Sequence, residues 1–379
     1  MTDPIDTIVV GRHVWPDPPT DDGVNLPVLR GLQRRLGGRM VVIAGTSGDR
    51  LRAWHGDRLE IVLLPLRGNL GFLRAASRLS QQAAREAPHR AVFVASDVWG
   101  GLLGAWIKER TGIPFVMQIQ GEILRPGPAY GSRVKRGSLS RAARIAVRRA
   151  SVVRCLNAEI ERGVGEVAPR ARTVVLGSRV DTSLFRPGRS PRMGELTDPV
   201  ITCVARLSHL KNQQLLVQAM SRCLETLPGI RLQLVGSGPD EERIRVMSSQ
   251  EGIDERVSFC GQIAHRDLPA LLRASDIFAF PSRSEGQPRA VLEALAVGIP
   301  VVASDIPAHR GVVIDGETGI VLPPDDADAW ARAFIALAAK PELRSRLAKA
   351  GSELVQDHHA FEPQLDLFAD LIRSTAPTL

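Results

Sequence analysis

The sequence predicts an α/β protein of two Rossmann-like domains, and three observations carry that expectation. Short β-branched runs alternate with helical stretches through both halves, the pattern of a parallel sheet with helices on both faces. A charged, breaker-rich segment, Arg186-Pro187-Gly188-Arg189-Ser190-Pro191-Arg192, interrupts the alternation near the middle. At 379 residues the chain exceeds what one ordinary core organises, so two domains of comparable size are the natural division.

In the first half, residues 5–10 read as a strand and 26–36 as a helix closed by Gly37-Gly38. Strands follow at 40–44 and 61–65, then a helix over 70–86, a strand at 91–95 and a helix over 102–110 ended by Thr111-Gly112. A strand at 115–119, a basic helix over 133–150 and a strand at 151–156 complete this half. Beyond the interruption, strands at 200–205, 231–235, 256–260, 277–280 and 300–303 alternate with helices at 213–226, 240–249, 268–273 and 289–297. Helices over 325–339 and 341–350 open on favourable starters, Asp325 or Asp326 and Pro341, and a final helical stretch covers 362–374. The expected spans are a first domain over 1–187, a linker over 188–199 and a second domain over 200–355. A C-terminal helical segment, 356–379, is free to cross back to the first domain.

The apolar fraction of 44% and charged fraction of 24% are those of a soluble globular protein. Aromatics make up only 4%, with one tyrosine, Tyr130, which argues against base-stacking and lectin-like surfaces. No apolar run approaches the roughly eighteen residues of a membrane span. The opening Met1-Thr2-Asp3-Pro4-Ile5-Asp6 lacks the basic start of a signal peptide, so a cytoplasmic location is expected. Cys155, Cys203, Cys223 and Cys260 form no C-x-x-C pair and imply reduced thiols without a cysteine metal site. No His/Asp set has metal-ligand spacing, and the adjacent His358-His359 reads as a surface loop pair. No metal or cofactor is expected.

Net charge is +8, but the excess is local. Between residues 123 and 158 stand nine basic residues (Arg125, Arg133, Lys135, Arg136, Arg141, Arg144, Arg148, Arg149, Arg154) and no acid, leaving the rest nearly neutral. A general polyanion binder spreads its charge more widely, so nucleic acid is not an expected partner. Arg141, Arg144 and Arg148 share one helical face, and Leu139, Ala143, Ala146 and Val147 another. Two readings stay open for Arg133–Arg149: contact with the anionic inner face of a membrane, or packing of the Ala-rich face on the sheet with the arginines solvated.

The most informative segment is Ser282-Arg-Ser-Glu285-Gly286-Gln287-Pro288-Arg289-Ala-Val-Leu-Glu293. A strand ends at Phe280-Pro281 and a helix begins near Pro288, which suits a first helical position. The loop therefore lies at the carboxyl end of a parallel strand, where ligands of open α/β sheets bind, with a helix N-terminus aimed at it. Glu285 and Glu293 can accept hydrogen bonds from hydroxyls at separate parts of one ligand, or can simply stabilise the helix dipole.

Glu285 and Glu293, seven residues apart within E-G-Q-P-R-A-V-L-E-A-L-A and followed by G-I-P-V-V-A-S-D, resemble the E-x7-E signature of glycosyltransferase family 4. Further segments in the family's order extend the resemblance across the second half. They are Cys203–Asn212 (CVARLSHLKN), Leu234–Glu241 (LVGSGPDE), Val257–Ile263 (VSFCGQI), Leu271–Ser282 (LLRASDIFAFPS) and Asp315–Asp326 (DGETGIVLPPDD). The resemblance implies a GT-B fold, with two Rossmann-like domains facing a central cleft. It also implies retaining, metal-independent transfer of a hexose-type sugar from a nucleoside-diphosphate sugar to a hydroxyl acceptor, such as a lipid-linked or cell-surface glycan precursor. Arg206 and Lys211 match the pair that grips the donor diphosphate, Glu285 the glutamate that touches the donor sugar, and Glu293 the one that binds ribose hydroxyls; the first three are the implied catalytic residues. Gly286 and Gln287 would offer backbone amides to the sugar, Pro288 has none to offer, and Arg289 and Ile263 complete the donor-binding set. Gly236 and Gly238 match the nucleotide pocket; alone they read equally well as a tight turn.

The first half departs from the family pattern. Asp21-Asp22-Gly23-Val24-Asn25 stands where relatives have a Gly-Gly loop, with Gly23 still able to approach a phosphate. Gln120, before Gly121, replaces a usual histidine and cannot act as a base; it can hold the donor sugar or simply end a strand. Arg179, in Gly177-Ser178-Arg179-Val180-Asp181, replaces a glycine. The rival readings are a GT-B epimerase or hydrolase acting on nucleotide sugars, and a non-enzymatic polyanion- or membrane-binding protein.

Overall fold

The computed structural model describes residues 3–15, 25–66, 68–87, 90–121, 123–127, 132–188, 192, 194–286 and 288–378. It divides into two compact units, one of Met1–Gly177 with Pro363–Leu379 and one of Ser178–Glu362. Gly23 and Gln287, both expected at the donor, lie outside the described residues. Among the described residues no helix is long and apolar enough to cross a membrane.

Unit 1 runs β1 (Ile5–Val14), α1 (Asn25–Leu36), β2 (Gly37–Thr46), β3 (Arg52–His55), β4 (Leu59–Pro65), α2 (Gly68–Glu86), β5 (Ala91–Ala95), α3 (Val98–Thr111), β6 (Phe115–Ile119), α4 (Arg133–Arg149), β7 (Val152–Cys155), α5 (Ala158–Val167) and β8 (Thr173–Val175). Its sheet has the order β3-β4-β2-β1-β5-β6-β7-β8 and is parallel except for the β3–β4 pair. Gly37-Gly38 begins β2 rather than forming a loop. A Cβ on Gly38 would sit 2.2 Å from the Ile5 carbonyl oxygen, so only glycine allows β1 and β2 to approach there. The sequence reading missed α5, whose two glycines weaken its helical signal. The Asn157 side chain caps it at 2.8 Å, and Val164 and Val167 are buried. It also missed β3 and β8, short edge strands with no clear alternation.

The Ala-rich face of α4 is packed inward, with Ala143, Ala146 and Val147 buried in the core of this unit. Arg154, counted from sequence among the nine clustered basic residues, is buried on β7. Its guanidinium donates to the carbonyls of Leu176 (3.0 Å) and Gly177 (2.8 Å) and to the Gln118 side chain. It also lies 4.7 Å from the ring centroid of Phe368 on the C-terminal helix α13 (Phe361–Arg373). That helix packs where Gly31 leaves room: a Cβ there would fall 2.5 Å from Leu365 Cδ1. An Arg35–Asp366 ion pair at 2.6 Å flanks the contact.

Unit 2 runs β9 (Val200–Val204), α6 (Gln213–Cys223), β10 (Arg231–Val235), α7 (Glu241–Gln250), β11 (Val257–Gly261), α8 (Leu268–Arg273), β12 (Ile277–Phe280), α9 (Arg289–Ala296), β13 (Val301–Ser304), α10 (Pro307–Arg310), β14 (Ile320–Leu322), α11 (Ala327–Ala339) and α12 (Pro341–His358). Its sheet, β11-β10-β9-β12-β13-β14, is parallel throughout. The first strand, β9, sits in the middle, so strand order reverses between β9 and β12. That is the switch point at which α/β sheets bind ligands.

The division falls after Gly177 rather than after residue 187. Val180 and Phe185 are buried in the unit 2 core, and the Val180 amide donates to the His359 carbonyl at 2.8 Å. His359, expected on a surface loop, is instead buried, with Nδ1 2.9 Å from the Ser178 carbonyl. The expected linker is tied down as well. Buried Arg344 donates to the carbonyls of Leu337, Ala338, Arg192 and Gly194, and the Leu196 amide bonds the Ala338 carbonyl.

Arg344→Met fills most of the same volume but removes those four donations, leaving the Ala338 carbonyl with the Leu196 amide. It is expected to cost about 2–3 kcal/mol and to lower the unfolding temperature of this unit by roughly 5–10 °C. Calorimetry of the variant against wild type checks this.

Candidate functional site

The loops after β9 and β12 emerge side by side at the switch point, and they carry most of the residues singled out from sequence. Lys211 lies in the short 3-10 turn His209–Lys211, and its ammonium pairs with the Glu285 carboxylate while standing 5.3 Å from the Phe280 ring centroid. Ser282 Oγ donates to Glu285 at 2.6 Å. Arg206 is exposed on the same loop as Lys211 and makes no ion pair among the described residues. Its carbonyl accepts from Gln213 Nε2 at 3.0 Å, which fixes the backbone of the loop.

Neither glutamate serves as a cap for α9. Pro288 is the N-cap, with an extended ψ of 96°, and the helix starts at Arg289. The expectation that Pro288 takes the first helical position is off by one residue, within the usual ambiguity of helix ends. Glu285 precedes the helix and is held by Lys211 and Ser282. Glu293, on the second turn, is only 7% exposed and accepts from His265 Nε2 at 2.9 Å. Exposed Arg289 adds positive charge at the helix start. Arg179 senses it: burial first, then the like charge of Arg289, lowers the Arg179 guanidinium to about 10.

Gly236 and Gly238 have a definite packing role. Gly236 has φ +126°, and a Cβ there would lie 2.1 Å from the Ala205 carbonyl oxygen; at Gly238 it would lie 2.0 Å from that of Leu207. The loop after β10 is thus pressed against the backbone on both sides of Arg206. Ile263 is half-buried against the core beyond β11, and half-buried Gly286 follows Glu285. Gln120 is exposed at the end of β6 in unit 1, where the structure gives it no bond among the described residues.

Sequence reasoning missed the supporting layer. His309 is fully buried on α10, its Nδ1–H donating to the Ser304 carbonyl at 2.7 Å; Nε2 has no hydrogen-bond partner among the described residues. Ser304 Oγ donates to the Ser282 carbonyl, which links this histidine to the Glu285 loop. Burial lowers the His309 ring to about 4. No local motif announced His265 or His309, and His265 meets Glu293, as Ser304 meets Ser282, only because the fold brings distant segments together. Burial also pushes the Cys155, Cys203 and Cys223 thiols up to about 12, and all four cysteines are free. Among the described residues no three His, Cys, Asp or Glu side chains form a metal-holding group.

Two outcomes are expected. Gly238→Ala forces the backbone at Leu207 to move, costing about 1–3 kcal/mol of stability, as urea unfolding would show. His309 stays neutral in the fold while an unfolded chain takes the proton near 6.5, so stability falls as pH drops from about 6.5 to about 4. His309→Asn keeps a donor for Ser304 but cannot titrate. Urea unfolding at pH 7 and pH 4.5 is expected to show a smaller acid loss in the variant, by up to about 3 kcal/mol.

Comparison with known proteins agrees with this fold. The model of "Glycosyl transferases group 1" matches residues 192–354, and that of "Glycosyl transferase 4-like domain" matches 26–178. The chain is 32% identical over 217 residues to a GDP-mannose-dependent alpha-(1-6)-phosphatidylinositol monomannoside mannosyltransferase of Mycolicibacterium smegmatis, covering 54% of this chain and 57% of that one. It is 32% identical over 223 residues to a D-inositol 3-phosphate glycosyltransferase of Saccharomonospora viridis, covering 55% and 51%. The matches thus span little more than half the length of these relatives. Among solved structures, sucrose-phosphate synthase from Thermosynechococcus elongatus superposes with a TM-score of 0.82 at 21% identity, over 98% of each chain. Anabaena HepE in complex with UDP and glucose superposes with a TM-score of 0.76 at 20% identity, over 98% of this chain and 100% of that one. With both domain models matched in order and two parallel Rossmann-like units in the fold, the chain belongs to the GT-B glycosyltransferases of the family 4 type.

Proposed function

We propose that this protein transfers a hexose-type sugar, with retention, from a nucleoside-diphosphate sugar to a hydroxyl acceptor, without a metal ion. The observation that carries the reading is the Lys211–Glu285 pair at the β9/β12 switch point, with Glu293 one helix turn beyond. In the proposed bound state the donor diphosphate replaces Glu285 as the partner of Lys211, and Arg206 joins the clamp. Glu285 then accepts from a sugar hydroxyl and Glu293 from the ribose. The acceptor oxygen bonds to the anomeric carbon from the leaving-group face as the bond to the β-phosphate breaks, and the departing phosphate oxygen takes the acceptor proton. The two cations stabilise the charge that builds on the diphosphate. The relatives' printed substrates, GDP-mannose and phosphatidylinositol mannoside among them, favour a lipid-linked acceptor, which we assign to unit 1.

A panel of UDP-, GDP- and ADP-sugars, followed by thermal shift and by product formation with lipid-linked and soluble acceptors, tests this reading. Arg206→Ala and Lys211→Ala are each expected to weaken diphosphate binding at least tenfold, about 1.4 kcal/mol or more, while unit 2 stays folded. Activity is expected to persist in chelator, and the product anomer to match the donor. Release of free sugar, or an altered sugar nucleotide without acceptor, would instead favour the hydrolase or epimerase reading.

Peripheral contact with an anionic membrane is a separate part of the proposal. Val134, 80% exposed, and Ile145, 47% exposed, stand among the cations of α4. Arg149 is paired with Glu109 and Arg148 donates to the Val167 carbonyl, whereas Arg133, Lys135, Arg136 and Arg141 make no ion pair among the described residues. The free charge therefore lies toward the start of the helix, beside Val134. Each cation near the surface contributes about 1 kcal/mol, so Arg133→Glu with Lys135→Glu is expected to reduce binding to phosphatidylglycerol-containing vesicles by at least tenfold in co-sedimentation. Equal sedimentation of both proteins would remove the membrane from the account.

A further inference from the structure

The loop that follows β11 carries a histidine that the proposed chemistry leaves without a task. Gly261 ends the strand with φ +64°, its carbonyl accepting the Gly236 amide at 2.7 Å, and Gln262 Nε2 donates to Ser237 Oγ at 3.0 Å. Those two bonds join the loops after β10 and β11, and the Asp267 amide closes a turn onto the Ala264 carbonyl at 2.9 Å. His265 projects from this turn. Its ring packs on Phe185, centroids 5.0 Å apart and planes at 53°, and its Nε2 lies 2.9 Å from Glu293 Oε1.

A carboxylate accepts only, so Nε2 carries the hydrogen and donates. The last torsion of a glutamate is broad and roughly two-fold, so an unsupported carboxylate would swing. A donor fixed on Oε1 decides where the second oxygen points. His265 is itself fixed by Phe185, a fully buried side chain from the segment that joins the unit 2 core. Glu293 is buried enough that leaving it without a partner would be costly, and among the described residues His265 is the one side chain that bonds it.

The geometry points to His265 as a positioning residue: it holds Glu293 Oε1 so that Oε2 is aimed at the ribose hydroxyls of a bound nucleoside diphosphate, with Phe185 as its brace. This inference rests on the reading of Glu293 as the ribose ligand given above. A purely structural His265 would only satisfy a buried acceptor and affect all ligands alike. A positioning His265 makes its contribution only through the ribose hydroxyls.

The test compares the affinity of UDP and GDP, whichever binds, with that of the 2′,3′-dideoxy counterpart, by calorimetry on the whole chain. His265→Phe keeps a ring against Phe185 and removes the donor; His265→Gln returns a nitrogen near the Nε2 position; Glu293→Gln removes the carboxylate charge. Wild type is expected to prefer the ribonucleotide. His265→Phe should lose about tenfold of that preference, the worth of one charge-assisted hydrogen bond. Its dideoxynucleotide affinity should be unchanged, which also shows that the variant is folded, and His265→Gln should recover most of the preference. If His265→Phe keeps the wild-type ratio, or weakens both ligands equally, while Glu293→Gln loses the preference, the role of His265 is overturned and the ribose reading stands. If Glu293→Gln also keeps the ratio, the ribose reading itself fails, and this inference with it.

Discussion

The carbonyl of Leu210 accepts a hydrogen bond from the far side of the switch point, from the Arg283 amide at 2.8 Å, and Ser282 Oγ, whose hydrogen goes to Glu285, lies 3.1 Å from the same oxygen. Through that one oxygen the loop after β9 is locked to the loop after β12. Lys211 follows immediately and meets Glu285 because its backbone has no freedom to lie elsewhere. Asn212 completes the lock in a left-handed conformation, φ +54°, in which Asn is among the more tolerated residues. Its side chain donates to the Pro324 carbonyl at 2.7 Å and accepts from Arg283, which in turn pairs with Asp325. Parts of unit 2 distant in sequence thereby agree on the position of one ammonium group.

Around this lock the two glutamates are held in different ways. Glu285 pairs with the Lys211 ammonium and accepts from the Ser282 hydroxyl. Glu293 is buried, and a single imidazole satisfies one of its oxygens. The proposed exchange at Glu285 calls for an ionic partner and the proposed aiming of Glu293 for a fixed donor, and the two ends of one short stretch carry one of each. The glycines opposite serve the same economy of space. By letting the β10 loop rest on the backbone at Ala205 and Leu207, Gly236 and Gly238 keep Arg206 at the rim instead of folded away.

Much of this was legible in the residues. Strand–helix alternation located the principal strands because buried parallel strands need uninterrupted apolar runs, and the E-x7-E segment located the loop between β12 and α9 because strand end, loop and helix start are contiguous. Less was legible where contacts skip along the chain. The boundary at 187 followed the breakers in the linker, whereas Val180 and Phe185 belong to the second core through packing that no local pattern encodes. His359 read as a surface residue from its neighbour and its loop, yet it is buried against the Ser178 carbonyl. Arg154 counted toward the local positive charge but is an internal donor to three oxygens. Polar residues in strands declare their burial only when their partners are in place.

The sequence by itself determined the fold class and most of the principal strands and helices, because these depend on periodicity, while the two glutamates and the Arg206/Lys211 pair were singled out through a family resemblance carried by segments in two different loops. Tertiary structure alone decided which groups face them. Phe185 reaches His265, His265 reaches Glu293, and Ser304 reaches Ser282 only because a parallel sheet sets strands side by side that the chain keeps far apart. Hydrogen bonds act over about 3 Å, so a sequence can propose the participants, and only the fold can bring them within range.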